Sequence, residues 1–138
     1  MGKINWGRVF LCGLLASLVW GVPSAFLVHS VGADWQIAVH AGRPAATEGG
    51  LFFTVLFLAN LATGVWTMWL YAAIRPRYGP GPKTAAMAGL ALWVIAALAY
   101  VVWAVFASVP ANALVKLEVA QLPGTILGAV VGAWLYKE

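Results

Sequence analysis

The residues able to hold a metal or take part in catalysis are few in this sequence, and most of them lie between residues 29 and 48. His29 and His40 are the only histidines among the 138 residues. Asp34 and Glu48 lie nearby, and two histidines with carboxylates form a ligand set for a divalent metal. However, the spacing from His29 to His40 matches no ligand pattern such as H-E-x-x-H. We therefore predict a solvated loop with an interfacial histidine, and no metal site.

His29 is the one candidate ligand for a cofactor. An imidazole is a usual axial ligand of haem, and His29 stands at the end of the first apolar run. A bis-histidine haem needs a second histidine at matched depth, whereas His40 lies in the following loop. The serines have no base and orienting group recognisably placed around them, so we predict no catalytic residue. The identity of any cofactor stays open.

Asn60 is the amide placed most deeply within an apolar run, and Thr63 and Thr67 lie on a nearby helical face. In hydrocarbon such an amide needs a hydrogen-bond partner. We expect a hydrogen bond between helices, and the alternative is a substrate or ion path. We predict no Asp, Glu, Lys or Arg at mid-membrane, which disfavours an ion-coupled transporter or a proton pump.

The elements that must position these residues are membrane helices. The chain is 63% hydrophobic and 9% charged, and its mean hydropathy is +0.90. Soluble domains contain about 25% charged residues, so lipid is the natural solvent for most of this chain. The net charge of +4 comes from dispersed basic residues, which form no stripe for nucleic acid.

Four apolar runs are long enough to cross a bilayer. They predict an all-α polytopic membrane protein, with four transmembrane helices in an up-down-up-down bundle that forms one domain over residues 1–138. Pro23 should kink the first helix. The fourth run has Lys116 and Glu118 near its beginning, and we place Glu118 near the membrane boundary, so that a tilted helix leaves this charge unburied. The predicted spans cover residues of about 9–31, 51–74, 84–109 and 117–136.

The stretch RPRYGPGPK joins the second and third spans and carries Arg75, Arg77 and Lys83. Its prolines and glycines predict a turn between two helices. Basic residues of short loops stay in the cytoplasm, so we predict a cytoplasmic basic loop and cytoplasmic chain ends. Three basic residues fall short of the clusters of about 4–8 that specific binding of anionic lipid requires. Six of the eight basic residues lie on the same side of this arrangement: Lys3, Arg8, Arg75, Arg77, Lys83 and Lys137.

Small residues recur at four-residue spacing in two of the predicted spans. Such rows let two helix backbones approach closely in lipid. We predict that both rows form packing faces, with the first and fourth spans as possible antiparallel neighbours. Whether they pack inside the bundle or against another protein is open. The rows consist of Gly13, Ser17 and Gly21 in the first span, and Gly124, Gly128 and Gly132 in the fourth.

The turn AAIRPRYGPGPKTA and the ending GAWLYKE resemble those of a group of small, uncharacterised bacterial inner-membrane proteins. These proteins carry a similar R-P-R-aromatic-G-P-G-P-K-T-A turn between hydrophobic helices. The resemblance implies a bacterial inner-membrane location and a fold of four spans. It brings no activity and no catalytic residues.

The sequence leaves three functions open. The first is a non-enzymatic accessory or assembly subunit of a larger membrane complex, respiratory or photosynthetic, which would use the glycine faces and the eight tryptophans for contacts. The second is a small oligomeric transporter or channel with Asn60 and the threonines along its path. The third is a haem- or pigment-binding membrane protein that uses His29. The expected partners are the lipid bilayer and other membrane-protein subunits.

Overall fold

The computed structural model describes residues 4–31, 50–106 and 109–136, without the side chains at 25, 27–31, 52 and 53. These residues form four α-helices and no strand, which confirms the predicted all-α class with four helices. The helices are α1 (Trp6–Val31), α2 (Gly50–Tyr78), α3 (Pro82–Phe106) and α4 (Ala111–Leu135).

Each helix contains a segment that is long and apolar enough to cross a membrane. In hydrocarbon, a helix satisfies its own backbone N–H and C=O groups, so uncharged runs of this length form helices. The four helices fit a multi-pass integral membrane protein. The segments are Trp6–Ser24, Thr54–Tyr78, Pro82–Phe106 and Ala111–Leu135.

The turn between α2 and α3 is shorter than the sequence suggested. α2 continues through Pro76 to Tyr78, so Arg75 and Arg77 lie in its last helical turn and not in a loop. Gly79 then takes a positive φ of 82°, the left-handed conformation that commonly ends a helix. α3 begins at Pro82, where a missing N–H costs nothing because the first helical N–H groups have no partner within the helix. Only residues 79–81 remain as a connection.

The helices pack as a ring in which neighbours in sequence run antiparallel. α1 lies between α2 and α4, and α3 packs mainly on α4 with a smaller contact to α2. Among the described residues α1 and α3 do not touch. Only 11% of the α3 segment is buried in the bundle, against 28–33% of the other three, so α3 is the peripheral helix. We call the end formed by residues 79–81 the turn end.

Candidate functional site

The glycine row of α4 faces α1. A Cβ added at Gly128 would lie 2.8 Å from the carbonyl oxygen of Ala16. One added at Gly132 would lie 3.1 Å from the carbonyl oxygen of Cys12, and one at Gly124 would lie 3.3 Å from Cδ1 of Trp20. The row therefore packs inside the bundle, and a side chain in it would collide with the α1 backbone.

The small residues of α1 also turn inward, toward α2. A Cβ at Gly13 would lie 2.5 Å from Cα of Val65, and the position of a Cβ at Gly64 overlaps the carbonyl oxygen of Gly13. Ser17 is buried at the same crossing and donates its hydroxyl to the carbonyl of Leu14 at 2.7 Å. Both predicted rows therefore form contacts within one bundle. The α1 row packs against α2, and the α4 row packs against another face of α1.

Two glycines at helix crossings were absent from the sequence-based prediction. Gly64 forms the crossing of α2 with α1, and a Cβ at Gly89 would lie 2.9 Å from Cβ of Ala129, between α3 and α4. Neither belongs to a row of glycines. Gly89 does follow Ala85 and Ala88 on one helical face, and this run of small residues was the available signal.

Asn60 lies against the backbone of α1, with its Oδ1 2.8 Å from the place of a Cβ at Gly21. Thr63 and Thr67 donate their hydroxyls to carbonyls one turn earlier in α2, each at 2.8 Å. These hydroxyls are therefore engaged within their own helix. The structure shows a helix contact at Asn60, and the path along Asn60 and the threonines stays a prediction.

Glu118 is buried in the bundle, with 8% of its surface exposed. Neighbouring helices cover this side chain, which is a different property from its depth in the bilayer. The expected position of Glu118 near the membrane boundary therefore stays a prediction. α4 begins at Ala111, so Glu118 lies within the helix and about 7.5 Å of helix before its middle residue, Pro123.

The surroundings of Glu118 come from α4 itself and from α3. The indole Nε1 of Trp93 donates to the backbone carbonyl of Glu118 at 3.0 Å, which fixes α3 against α4 at this level. The Glu118 carboxyl also acts electrostatically on the phenol of Tyr100. Its Oε1 is buried and accepts no hydrogen bond from the described residues. The bundle therefore holds a buried carboxyl with one oxygen that accepts no hydrogen bond from the described residues.

Two neighbours in sequence differ sharply from Glu118. Lys116 lies two positions earlier and is exposed on the outer face of α4. Pro123 lies five positions further on and has no N–H to give to the preceding turn. Prolines are common points of bending in membrane helices, where neighbouring groups satisfy the freed carbonyl. Glu118 and the glycine row therefore lie on opposite sides of a potential bend.

Aromatic rings and an arginine meet at the turn end. The rings of Tyr71 and Tyr136 lie edge to face with centroids 5.9 Å apart, and the Arg75 guanidinium lies 5.6 Å from the centroid of Tyr136. Arg77 lies instead against Tyr78, 5.9 Å from its ring centroid. Of the three predicted basic residues, only Arg75 belongs to the packed cluster.

The remaining predicted site lies outside the described part of the structure. His29 falls in the last turns of α1, but its side chain is not described, and His40 lies outside the described residues. Over the ranges that are described, no three His, Cys, Asp or Glu side chains come together as a metal site. The haem hypothesis stays a prediction.

Comparison with known proteins adds no assignment. No protein family, curated protein or solved structure matches this chain.

Proposed function

We propose that this protein is a small, non-enzymatic membrane transporter that conducts protons, in which the Glu118 carboxyl takes up and releases the proton. One observation carries the proposal: a buried carboxyl, with an oxygen that accepts no hydrogen bond from the described residues, sits within a membrane-spanning helix. Ionisable side chains are rare and costly inside membrane helices, and they mark ion pathways and proton relays.

A charge within a membrane helix carries an energetic cost. An ionised carboxylate costs about 3 kcal/mol at the centre of such a helix by insertion measurements. Lys116 does not offset this cost, because its side chain is exposed while Glu118 is buried. A proton bound to the carboxyl removes the charge, so the site favours proton uptake when closed and release when water reaches it. Pro123 gives α4 a point at which such an opening can occur.

The experiment is proton flux into vesicles that contain the purified protein and a trapped pH-sensitive dye, driven by an imposed membrane potential. Glu118→Gln removes the titratable group with little change of shape and should reduce flux to the rate of protein-free vesicles. Lys116→Gln is the matched control, since it neutralises an exposed charge on the same helix, and it should keep the wild-type rate. Glu118→Asp retains a carboxyl and should retain part of the flux.

Wild-type flux no faster than that of empty vesicles, over several imposed gradients, would end the transport proposal. Flux that survives Glu118→Gln would assign transport to another path and remove Glu118 from it.

A second candidate is an accessory subunit of a larger membrane complex, and the peripheral position of α3 favours it. Much of α3 faces outward with apolar side chains, among them Ile95, Leu98 and Phe106, which are 63–85% exposed. The glycine rows no longer contribute to this argument, because both are covered within the monomer. Native electrophoresis of mildly solubilised membranes tests this candidate. A dominant monomer band would exclude the subunit role, and a homo-oligomer would favour transport.

A bacterial inner membrane with both chain ends in the cytoplasm is the setting we propose, on the basis of the basic residues around the turn end. Reporter fusions after Glu138 and within residues 77–82 should then report the cytoplasm, and a fusion near Ala45 the exterior. The reverse pattern would invert the orientation. For the His29 hypothesis, an absorption spectrum of the purified protein decides whether a haem or pigment is bound.

A further inference from the structure

A cavity of about 300 Å³ opens at the turn end, next to the cluster of Tyr71, Arg75 and Tyr136. One side of it is formed by these three polar residues. The turn contributes a second side, and the last turns of α4 contribute a third, apolar side. The residues from the turn and from α4 are Pro80, Gly81, Pro82, Val130, Ala133 and Trp134.

The polar side of this cavity is rich in hydrogen-bond donors. The Tyr71 hydroxyl accepts from the backbone N–H of Gly81, and that of Tyr136 accepts from the N–H of Asn5, both at 3.4 Å. A phenol that accepts a hydrogen bond still has one O–H to donate. Arg75 has other contacts as well, and the five N–H groups of a guanidinium serve several acceptors at once. A planar guanidinium matches two oxygens of a phosphate.

The charge around the cavity has one sign in the described residues. Arg75 and Arg77 lie in the last turn of α2, and Lys83 lies in the first turn of α3. Glu118 is the only described carboxylate, and it lies toward the opposite end of the bundle. A cleft lined by one sign of charge concentrates the opposite charge, so the cavity attracts anions.

The apolar side decides which kind of anion fits. Val130 and Ala133 give it an aliphatic surface continuous with the membrane-spanning part of α4. Trp134 is 80% exposed beside them, as expected for an indole at the level of lipid headgroups. A free inorganic phosphate would leave this side without contacts. A phospholipid would place its phosphate by Arg75 and the start of its acyl chains along α4.

From this juxtaposition we infer that the cavity binds the headgroup phosphate of an anionic phospholipid, with Arg75 as the principal phosphate ligand. Three basic residues alone are too few to predict specific lipid binding. The cavity adds the binding groups that a count of charges does not include, because it places one arginine, two phenols and an apolar wall around a single volume. The inference does not depend on the proton-transport proposal, since it uses different residues at the other end of the bundle.

The test is equilibrium binding of spin-labelled phosphatidylglycerol to the purified full chain in neutral detergent, with spin-labelled phosphatidylcholine for comparison. At about 0.2 M salt, diffuse attraction is largely screened. We expect Arg75→Gln to reduce the preference for phosphatidylglycerol about tenfold, the loss of one charge-assisted pair. Arg77→Gln is the matched control because it removes the same charge from the same helical turn but not from the cavity. It should reduce the preference less than about twofold under screening.

A second variant tests the cavity independently, in case Arg75→Gln does not fold. Trp134→Ala alters an exposed side chain that lines the cavity, and it should weaken binding of phosphatidylglycerol while the helix content stays that of the wild type. Excess inorganic phosphate should leave the bound lipid in place, and its displacement by phosphate would overturn the assignment to lipid. Equal losses in Arg75→Gln and Arg77→Gln, or equal binding of the two lipids by the wild type, would overturn the site.

Discussion

The two halves of α4, on either side of Pro123, pack in opposite ways. The half after Pro123 contacts α1 through glycines, and the place of a Cβ at Gly128 lies within 2.8 Å of an α1 carbonyl oxygen. The half before Pro123 packs against α3 through larger groups, with the indole of Trp93 bonded to the Glu118 carbonyl at 3.0 Å. At Gly128 an added Cβ would meet the α1 backbone, whereas the other half holds a carboxyl oxygen without a hydrogen bond from the described residues.

This difference shows how stability and function can be divided along one helix. Lipid chains are as apolar as the helix surfaces, so helix association in membranes depends on close packing and on hydrogen bonds between helices. The glycine half of α4 supplies close packing. The proposed proton site in the Glu118 half would lower stability, which is the usual cost of a functional group held in an unfavourable environment.

The largest effect is expected in the glycine half. Gly128→Leu should lower the free energy of unfolding in detergent by about 1–3 kcal/mol, because the new side chain meets the backbone of Ala16. Leu127→Ile is the control at the adjacent position, which is 58% exposed, and it should be nearly silent. Equal thermal resistance of the two variants would show that the α1–α4 contact is not tight.

A smaller effect of opposite sign is expected in the other half. Glu118→Gln should raise the free energy of unfolding by about 1 kcal/mol or leave it unchanged, since neutral groups often replace buried charges without loss. Lys116→Gln should change it by less than about 0.5 kcal/mol, as is usual for exposed positions. Destabilisation by Glu118→Gln of the size seen for Gly128→Leu would mean that the carboxylate is a structural element of the bundle, and the contrast between the halves would fail.

The smallest effect concerns Thr125, which is buried two positions after Pro123 and donates its hydroxyl to the Gln121 carbonyl at 3.0 Å. Thr125→Val keeps the volume and removes this bond across Pro123. We expect a change of less than about 0.5 kcal/mol in the free energy of unfolding, because this bond lies within one helix and such a bond adds little to helix stability. Chemical denaturation in mixed micelles measures it. A loss above that of Gly128→Leu would place the critical contact beside Pro123 and not in the glycine row.

The four spans could be predicted because each apolar run is long enough to cross a bilayer and carries its own backbone hydrogen bonds. The ends of the helices were harder to predict. Arg75 and Arg77 were assigned to a loop since prolines flank them, but Pro76 is close enough to the end of α2 for the helix to continue to Tyr78. Spacing identified the glycine row of α4. Gly64 was missed because its partner, Gly13, is on another helix and no local pattern joins the two.

The Glu118 site could not be predicted, because burial depends on what lies across from a residue and not on its position in an apolar run. Counting residues from Tyr136 placed the carboxylate near a boundary. That depth stays a prediction, whereas the packing of α3 beside Glu118, with Trp93 bonded to its backbone carbonyl, is visible only in the structure. The same holds for Arg75, whose cavity brings together side chains from α2 and α4 with the backbone between α2 and α3.

The brevity of the connection at residues 79–81 has a consequence for biosynthesis. Three extended residues reach about 10 Å, far less than the hydrocarbon thickness of about 30 Å, so the end of α2 and the start of α3 must emerge on the same face of the membrane. In the inserted protein these two helices therefore form one hairpin. Insertion of α2 alone would leave the apolar length of α3 in water beside the membrane, so the inserted state requires both helices of the hairpin in the lipid.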